Sequence, residues 1–411
     1  YAKMPAACRR SAILSGLSSE SFYTAVEKSR FAKAIEAVFA FFAWLGARTI
    51  QPLLAHSRLA AAVLKGIRAL PYVRLRAVGL LLLGCCPGIY LGFGVVPFAA
   101  LLLAGLILLF FSASLADAFR ASIFARLFGH QGERAYPAAG GKAGLVAAAI
   151  GGLAFSAACA LAGAKWTLLA LLGLFAVMAI LYRPVIGILL CIAGAPFLPT
   201  MGLAGIIALT FTAALLSLMA GKKYQLKIDI TGVFLGAFAL VVLFYGLTSY
   251  VKASAIQIAL LECLFFMSFF LVRMLIDNRA RLKAALFTFC TSGLFAGLYG
   301  LYQFLSGQVD TTWTDTELFG TLTLRVYATF ENPNVYGEYL LLVIPVCIAM
   351  IFISKRILPR FYYLGVSCLL LVNLALTYSR GCYLALLLSA LVVIWFGARK
   401  LLSFGVVGLV A

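Results

Sequence analysis

From Val78 to the C-terminus the chain is a succession of apolar runs separated by short polar breaks. Each run is close to the ~20 residues that a helix needs to cross a bilayer. The runs fall at 78–94, 96–113, 143–163, 166–182, 184–199, 202–220, 230–249, 254–275, 284–305, 338–353, 361–378 and 382–398, and a thirteenth begins near 404. The fold expected is therefore an all-α, polytopic transmembrane helix bundle of about 12–13 spans with one longer external loop. Composition agrees, with 64% of the 411 residues hydrophobic and 11% charged, against about 45–50% and about 25% in soluble domains. These residues leave no room for a large soluble catalytic domain. The first two runs are the least regular, because Pro87, Gly88, Gly92, Gly94 and Pro97 break the stretch 78–113 into two short halves.

Residues 1–76 differ, with 12 Lys+Arg, three acids and no run long enough to span. Ala37–Ala47, preceded by Lys33 and Glu36, reads as an interfacial helix. Residues 58–70 repeat the pattern, with Arg58, Lys65 and Arg68 on one helical face and Leu59, Val63, Ile67 and Leu70 on another. The alternative is a partly disordered basic tail. The chain thus divides into a basic cytoplasmic or interfacial segment (1–76), a set of transmembrane helices (77–305) and a C-terminal region (306–411).

The net charge of +20, from 33 Lys+Arg and 13 Asp+Glu, would point to nucleic acid in a soluble protein. In a polytopic chain it first reports orientation, because basic residues concentrate in cytoplasmic loops. With residues 1–76 in the cytoplasm, every basic residue except Lys165, Lys252, Arg325 and Arg380 falls on the cytoplasmic side. The outer side receives Asp310, Asp315, Glu317, Glu331 and Glu338. The charge is a topology signal, and no nucleic-acid partner is implied. Nine of the ten cysteines lie in or beside apolar runs, and none shows C-x-x-C spacing near a histidine. They read as buried thiols, not as a zinc site, a redox pair or a disulfide set.

Function concentrates in irregular segments held by a rigid scaffold, and the longest external connection runs from about Ser306 to Gly337. It contains Arg325-Val-Tyr-Ala-Thr-Phe-Glu-Asn332-Pro-Asn334-Val-Tyr336, and a later external turn reads Thr377-Tyr-Ser379-Arg380-Gly381. These two segments carry both external arginines. A guanidinium offers five donors in a planar fork suited to phosphate, so two that converge would hold a pyrophosphate head group. The alternative has Arg380 anchoring a helix end and Arg325 pairing with Glu331 or Glu338. Asn332-Pro333-Asn334 reads first as a turn and helix cap, which is compatible with ligand contact. Tyr327, Phe330 and Tyr336 either stack on sugar faces or anchor spans at the interface. Glu262 lies within the run 254–275 and is either a functional intramembrane group or a protonated or hydrogen-bonded one. Asp310, Asp315 and Glu317 form the only external acidic cluster, read as a solvated loop sooner than a metal site, so neither metal nor cofactor is expected. His56 and His130 fall in segments assigned to the cytoplasm and read as surface residues.

R-V-Y-A-T-F-E-N-P-N, a span, a basic turn, a second span and then T-Y-S-R-G with a further span together resemble the O-antigen ligase and polymerase family of bacterial membrane proteins. The resemblance covers about residues 319–398. It implies a glycosyltransferase of the cytoplasmic membrane that works on its outer face on glycans linked to undecaprenyl pyrophosphate. By that likeness Arg325 and Arg380 bind the pyrophosphate, with Asn332, Asn334, Tyr336 and Ser379 as neighbouring substrate contacts. The partners implied are that lipid-linked donor, a glycan, lipid or protein acceptor, and the surrounding membrane lipids. The family's general base is a histidine in a large external loop after the S-R-G turn, expected here beyond Ala411. A competing class is a transporter of a small solute or an anion such as bicarbonate. That class predicts an internal repeat with broken helices and a midplane ionisable residue, for which Glu262 and the stretch Pro87–Pro97 are the available hints. A purely structural scaffold would leave the two arginine segments without a role.

Overall fold

A computed structural model describes residues 30–52, 57, 72–121, 142–222, 224, 230–307 and 325–397. Its helices are α1 (Arg30–Arg48), α2 (Leu75–Phe93), α3 (Val95–Leu109), α4 (Leu115–Ala121), α5 (Lys142–Ala162), α6 (Ala164–Tyr182) and α7 (Val185–Gly194). They continue as α8 (Thr200–Met219), α9 (Ile230–Thr248), α10 (Lys252–Leu275), α11 (Arg279–Ser306), α12 (Pro333–Ile353), α13 (Ile357–Leu376) and α14 (Arg380–Gly397). Among the described residues the only extended pairing is an isolated bridge between Arg74 and Ser114.

Nine of the helices among the described residues are long and apolar enough to cross a membrane: α2, α5, α6 and α8–α13. The chain is an all-α, multi-pass membrane protein. Two apolar runs form helices shorter than a span, α3 and α7, and α14 is apolar over Arg380–Leu391. Each shortening near a break has a local cause. Gly94, at φ +84°, ends α2 and starts α3, a backbone state that costs glycine little. Proline brackets α7, with Pro184 before it and the turn containing Pro196 and Pro199 after it. The interfacial stretch 37–47 lies inside α1. Residues 58–70 and the run near 404 lie outside the described residues.

Two compact units are present. The first comprises residues up to Ile188 together with Ile206–Asp277. Its tightest pairing is α2 with α5, and α2 also packs on α3. Pro87 lies inside the first run, and α2 continues through it. Ser156 of α5 explains why: its Oγ accepts from Gly88 N at 3.0 Å and donates to Gly84 O at 2.7 Å. The hydroxyl thereby fills the opening in the i→i−4 ladder beside the proline, where unsatisfied backbone groups are costly in lipid. α9 and α10 form a hairpin. Glu262 sits on α10 with its side chain exposed.

The second unit comprises Leu189–Gly205 and residues from Asn278 onward. Its core gathers Cys290 and Ala296 of α11, Leu340, Val343, Ile344 and Cys347 of α12, and Val366 and Leu370 of α13. The most apolar stretch of α12 is 44% buried, against 39% in α11 and 33% in α13. α12 is therefore the central helix of this unit. α11 starts behind an Asn278 cap, whose side chain accepts from Arg281 N, and ends on Gly307 at φ +66°. At 28 residues it is about 42 Å long, well beyond the ~30 Å hydrocarbon thickness.

Candidate functional site

The C-terminal ends of α11 and α13 and the N-terminal ends of α12 and α14 meet at one end of the second unit, where the segment Arg325–Asn332 crosses them. That segment is fixed from three sides. Val326 N donates to Leu376 O at 2.9 Å. The side-chain amide of Gln303 pairs with the backbone of Ala328. Thr329 Oγ1 donates to the carbonyl of Pro196. Asn332 then caps α12, its Oδ1 accepting from Asn334 N at 2.8 Å, and Pro333 occupies the first turn.

Arg325 is half-buried, and acceptors from two segments orient its guanidinium. Nε donates to Thr377 O at 2.9 Å, and Nη2 donates to Asn334 Oδ1 at 3.0 Å. Arg380 is the first residue of α14 and is exposed. Both arginines line a cleft of about 620 Å³ with Asn334, Glu338, Leu341, Tyr378, Ser379, Gly381, Cys382 and Ala385. Close helix approach shapes its floor, since a Cβ on Gly337 would lie 2.6 Å from Cys382 Sγ. Ser379 is buried and sits directly before α14, with its Oγ 3.2 Å from Cys382 Sγ and its carbonyl accepting from Cys382 N and Tyr383 N. The cleft thus takes the positive ends of two helix dipoles in addition to two guanidiniums. An anion is the ligand that such a surface favours.

Three non-glycine residues among those described have positive φ: Ala328 at +49°, Glu331 at +58° and Tyr378 at +51°. All three belong to the two segments that carry the arginines. A side chain in the left-handed region costs about 1–2 kcal/mol, so the surrounding bonds over-determine this backbone.

Of the residues singled out in the sequence, Arg325, Asn334, Ser379 and Arg380 come together on the cleft. Asn332 does not line it and acts as the helix cap. Tyr336 is corrected from a ligand contact to a core residue. It is fully buried, its hydroxyl lies 3.1 Å from Asn373 Oδ1, and its ring stacks on Phe330 at 5.6 Å. Its position three residues after Pro333 on α12 turns the side chain toward α11 and α13, away from α14. Glu262 belongs to the first unit and does not line the cleft. Asp310, Asp315, Glu317, His56 and His130 lie outside the described residues. Among the described residues no group of three or more His, Cys, Asp or Glu could hold a metal ion.

Sequence reading overlooked Gln303 and Asn373. Asn373 Nδ2 donates to Gly297 O and Leu369 O at 3.0 and 2.9 Å, tying α11 to α13 beneath the crossing segment. The available signal was an uncharged amide inside an otherwise apolar run, since such side chains find partners between membrane helices. Compared with protein-family models, curated proteins and solved structures, the chain matches none.

Proposed function

We propose that the chain transfers a glycan from an undecaprenyl-pyrophosphate-linked donor to an acceptor hydroxyl on the outer face of a bacterial cytoplasmic membrane. The observation that carries this reading is the convergence of Arg325 and Arg380 on one cleft at the ends of membrane helices. Both are also exceptions to the charge asymmetry that orients the chain.

Attack of the acceptor oxygen on the anomeric carbon breaks the bond from that carbon to the pyrophosphate oxygen. The electron pair leaves with the pyrophosphate, and the acceptor proton passes to a base. Charge therefore grows on the pyrophosphate, where fixed donors act most strongly. Arg325 is held by Thr377 and Asn334 before any ligand arrives, so little reorganisation is needed at the moment of reaction. The resemblance to the O-antigen ligase and polymerase family supplies the base as a histidine C-terminal to Ser379-Arg380-Gly381. The acceptor is a glycan, a lipid or a protein hydroxyl.

The test is transfer from a lipid-linked donor by the full chain in proteoliposomes. Arg325→Ala and Arg380→Ala should each lower the rate by about 10²–10³-fold with insertion unchanged. Transfer retained in both variants overturns the reading, and counterflow uptake of a small anion by the same proteoliposomes would favour a transporter.

A further inference from the structure

The cleft also holds a carboxylate that the proposed transfer does not use. Glu338 follows Asn334 by four residues on α12, which puts it on the same face about 6 Å further along the helix. Asn334 bonds Arg325 at the helix N-terminus, so Glu338 stands one turn further into the membrane than the Arg325 guanidinium. Beyond it the lining is apolar, with Leu341 from α12 and Ala385 from α14. Leu342, Leu384, Leu387 and Leu388 on the flanks of the same two helices are exposed, so the cleft is approached across a lipid-facing surface. From the mouth inward its order is guanidinium, carboxylate, hydrocarbon. Glu338 is exposed and makes no hydrogen bond or ion pair among the described residues.

A pair of arginines open to lipid faces a competition problem, because anionic phospholipids surround the protein in great excess over any lipid-linked donor. We infer that Glu338 is the specificity residue of this cleft, keeping the single phosphodiester of anionic phospholipids off the arginine pair while admitting lipids that carry a pyrophosphate. The inference rests on the pyrophosphate reading above. A phosphodiester sits directly above its tails and meets Glu338 as it reaches for the arginines. A pyrophosphate lipid meets the same repulsion at its first phosphate, but its second extends toward Arg325 and Arg380. The repulsion is common to both ligands and the added attraction is not, and specificity is that difference.

The experiment measures binding of farnesyl pyrophosphate, a short polyprenyl pyrophosphate, to the full chain in vesicles of phosphatidylcholine alone and in vesicles with half of it replaced by phosphatidylglycerol. Comparing variants within one vesicle type cancels the general effect of surface charge. A unit charge about 6 Å away in an interfacial medium changes affinity by about tenfold. On adding phosphatidylglycerol, Glu338→Gln should therefore lose about tenfold more affinity than the wild type, while Glu338→Asp should behave as the wild type. Equal losses in Glu338→Gln and wild type overturn the assignment of Glu338 and leave the pyrophosphate reading standing. Equal binding by wild type and Arg325→Ala in phosphatidylcholine overturns the pyrophosphate reading, and this inference with it.

Discussion

Gln303 and Ala328 exchange two hydrogen bonds: Gln303 Nε2 donates to the Ala328 carbonyl at 2.9 Å, and Ala328 N donates to Gln303 Oε1 at 2.8 Å. The side chain thus serves both backbone groups of a residue that no helix serves, in a place where Gln303 is 4% exposed. Replacing it by Leu keeps the bulk and orphans both groups. Each buried unsatisfied group costs about 1–3 kcal/mol. Gln303→Leu should lower the thermal midpoint in detergent and, by loosening the segment behind Arg325, weaken farnesyl pyrophosphate binding as well. Unchanged stability would show that this pair does not hold the crossing segment.

Asn334 acts on the ligand through Arg325. Asn334→Ala removes an acceptor that orients the guanidinium and leaves the charge in place. Transfer should fall by about tenfold, the equivalent of one net hydrogen bond. The double variant with Arg325→Ala should be no worse than Arg325→Ala alone, because residues in one bonded network are not additive. Additive losses in the cycle would separate the two residues.

Ser156 and Pro87 form a second coupled pair, in the first unit. Ser156→Ala deletes the hydroxyl that joins Gly88 N to Gly84 O, at a cost of about 1–2 kcal/mol. Pro87→Ala closes the ladder from within the helix. In that background the Ser156→Ala cost should shrink, which unfolding of the four proteins of the cycle would measure.

Gly337 and Cys382 set the spacing of α12 and α14. A methyl at Gly337 would lie 2.6 Å from Cys382 Sγ, so Gly337→Ala should destabilise by about 1–3 kcal/mol through overpacking. Removing the sulfur with Cys382→Ala should recover most of that loss. A Gly337→Ala protein as stable as the wild type would mean that these helices can part without cost.

The membrane fold was legible because hydrocarbon is an unforgiving solvent. Runs of apolar residues near 20 long have few alternatives to a spanning helix, and each of the twelve complete runs overlaps a helix, although α3 and α7 fall short of a span. Helix length was less legible. Pro87 is one of the residues that interrupt the stretch 78–113, yet α2 continues through it because a hydroxyl from α5 repairs the backbone. Gly94, which has no such partner, is a break. At the candidate site the arginine segments stood out because guanidinium is rare on the side of the membrane to which the charge asymmetry assigns them. Tyr336 did not separate from its neighbours. One helical position decides whether that ring meets the cleft or Asn373, and spacing from a proline cap that is itself uncertain by a residue or two cannot resolve it.

By itself the sequence determined that this protein is a set of membrane-crossing helices and that two short polar segments carry the arginines foreign to its charge pattern. Both are properties of single segments against a uniform solvent, where composition and length suffice. Only the tertiary structure decided that Arg325, Asn334, Ser379 and Arg380 share one cleft with Glu338, and that Tyr336 does not. Those relations join residues up to 55 positions apart through bonds such as Arg325 Nε to Thr377 O and Val326 N to Leu376 O. Such bonds exist only once four helices have packed.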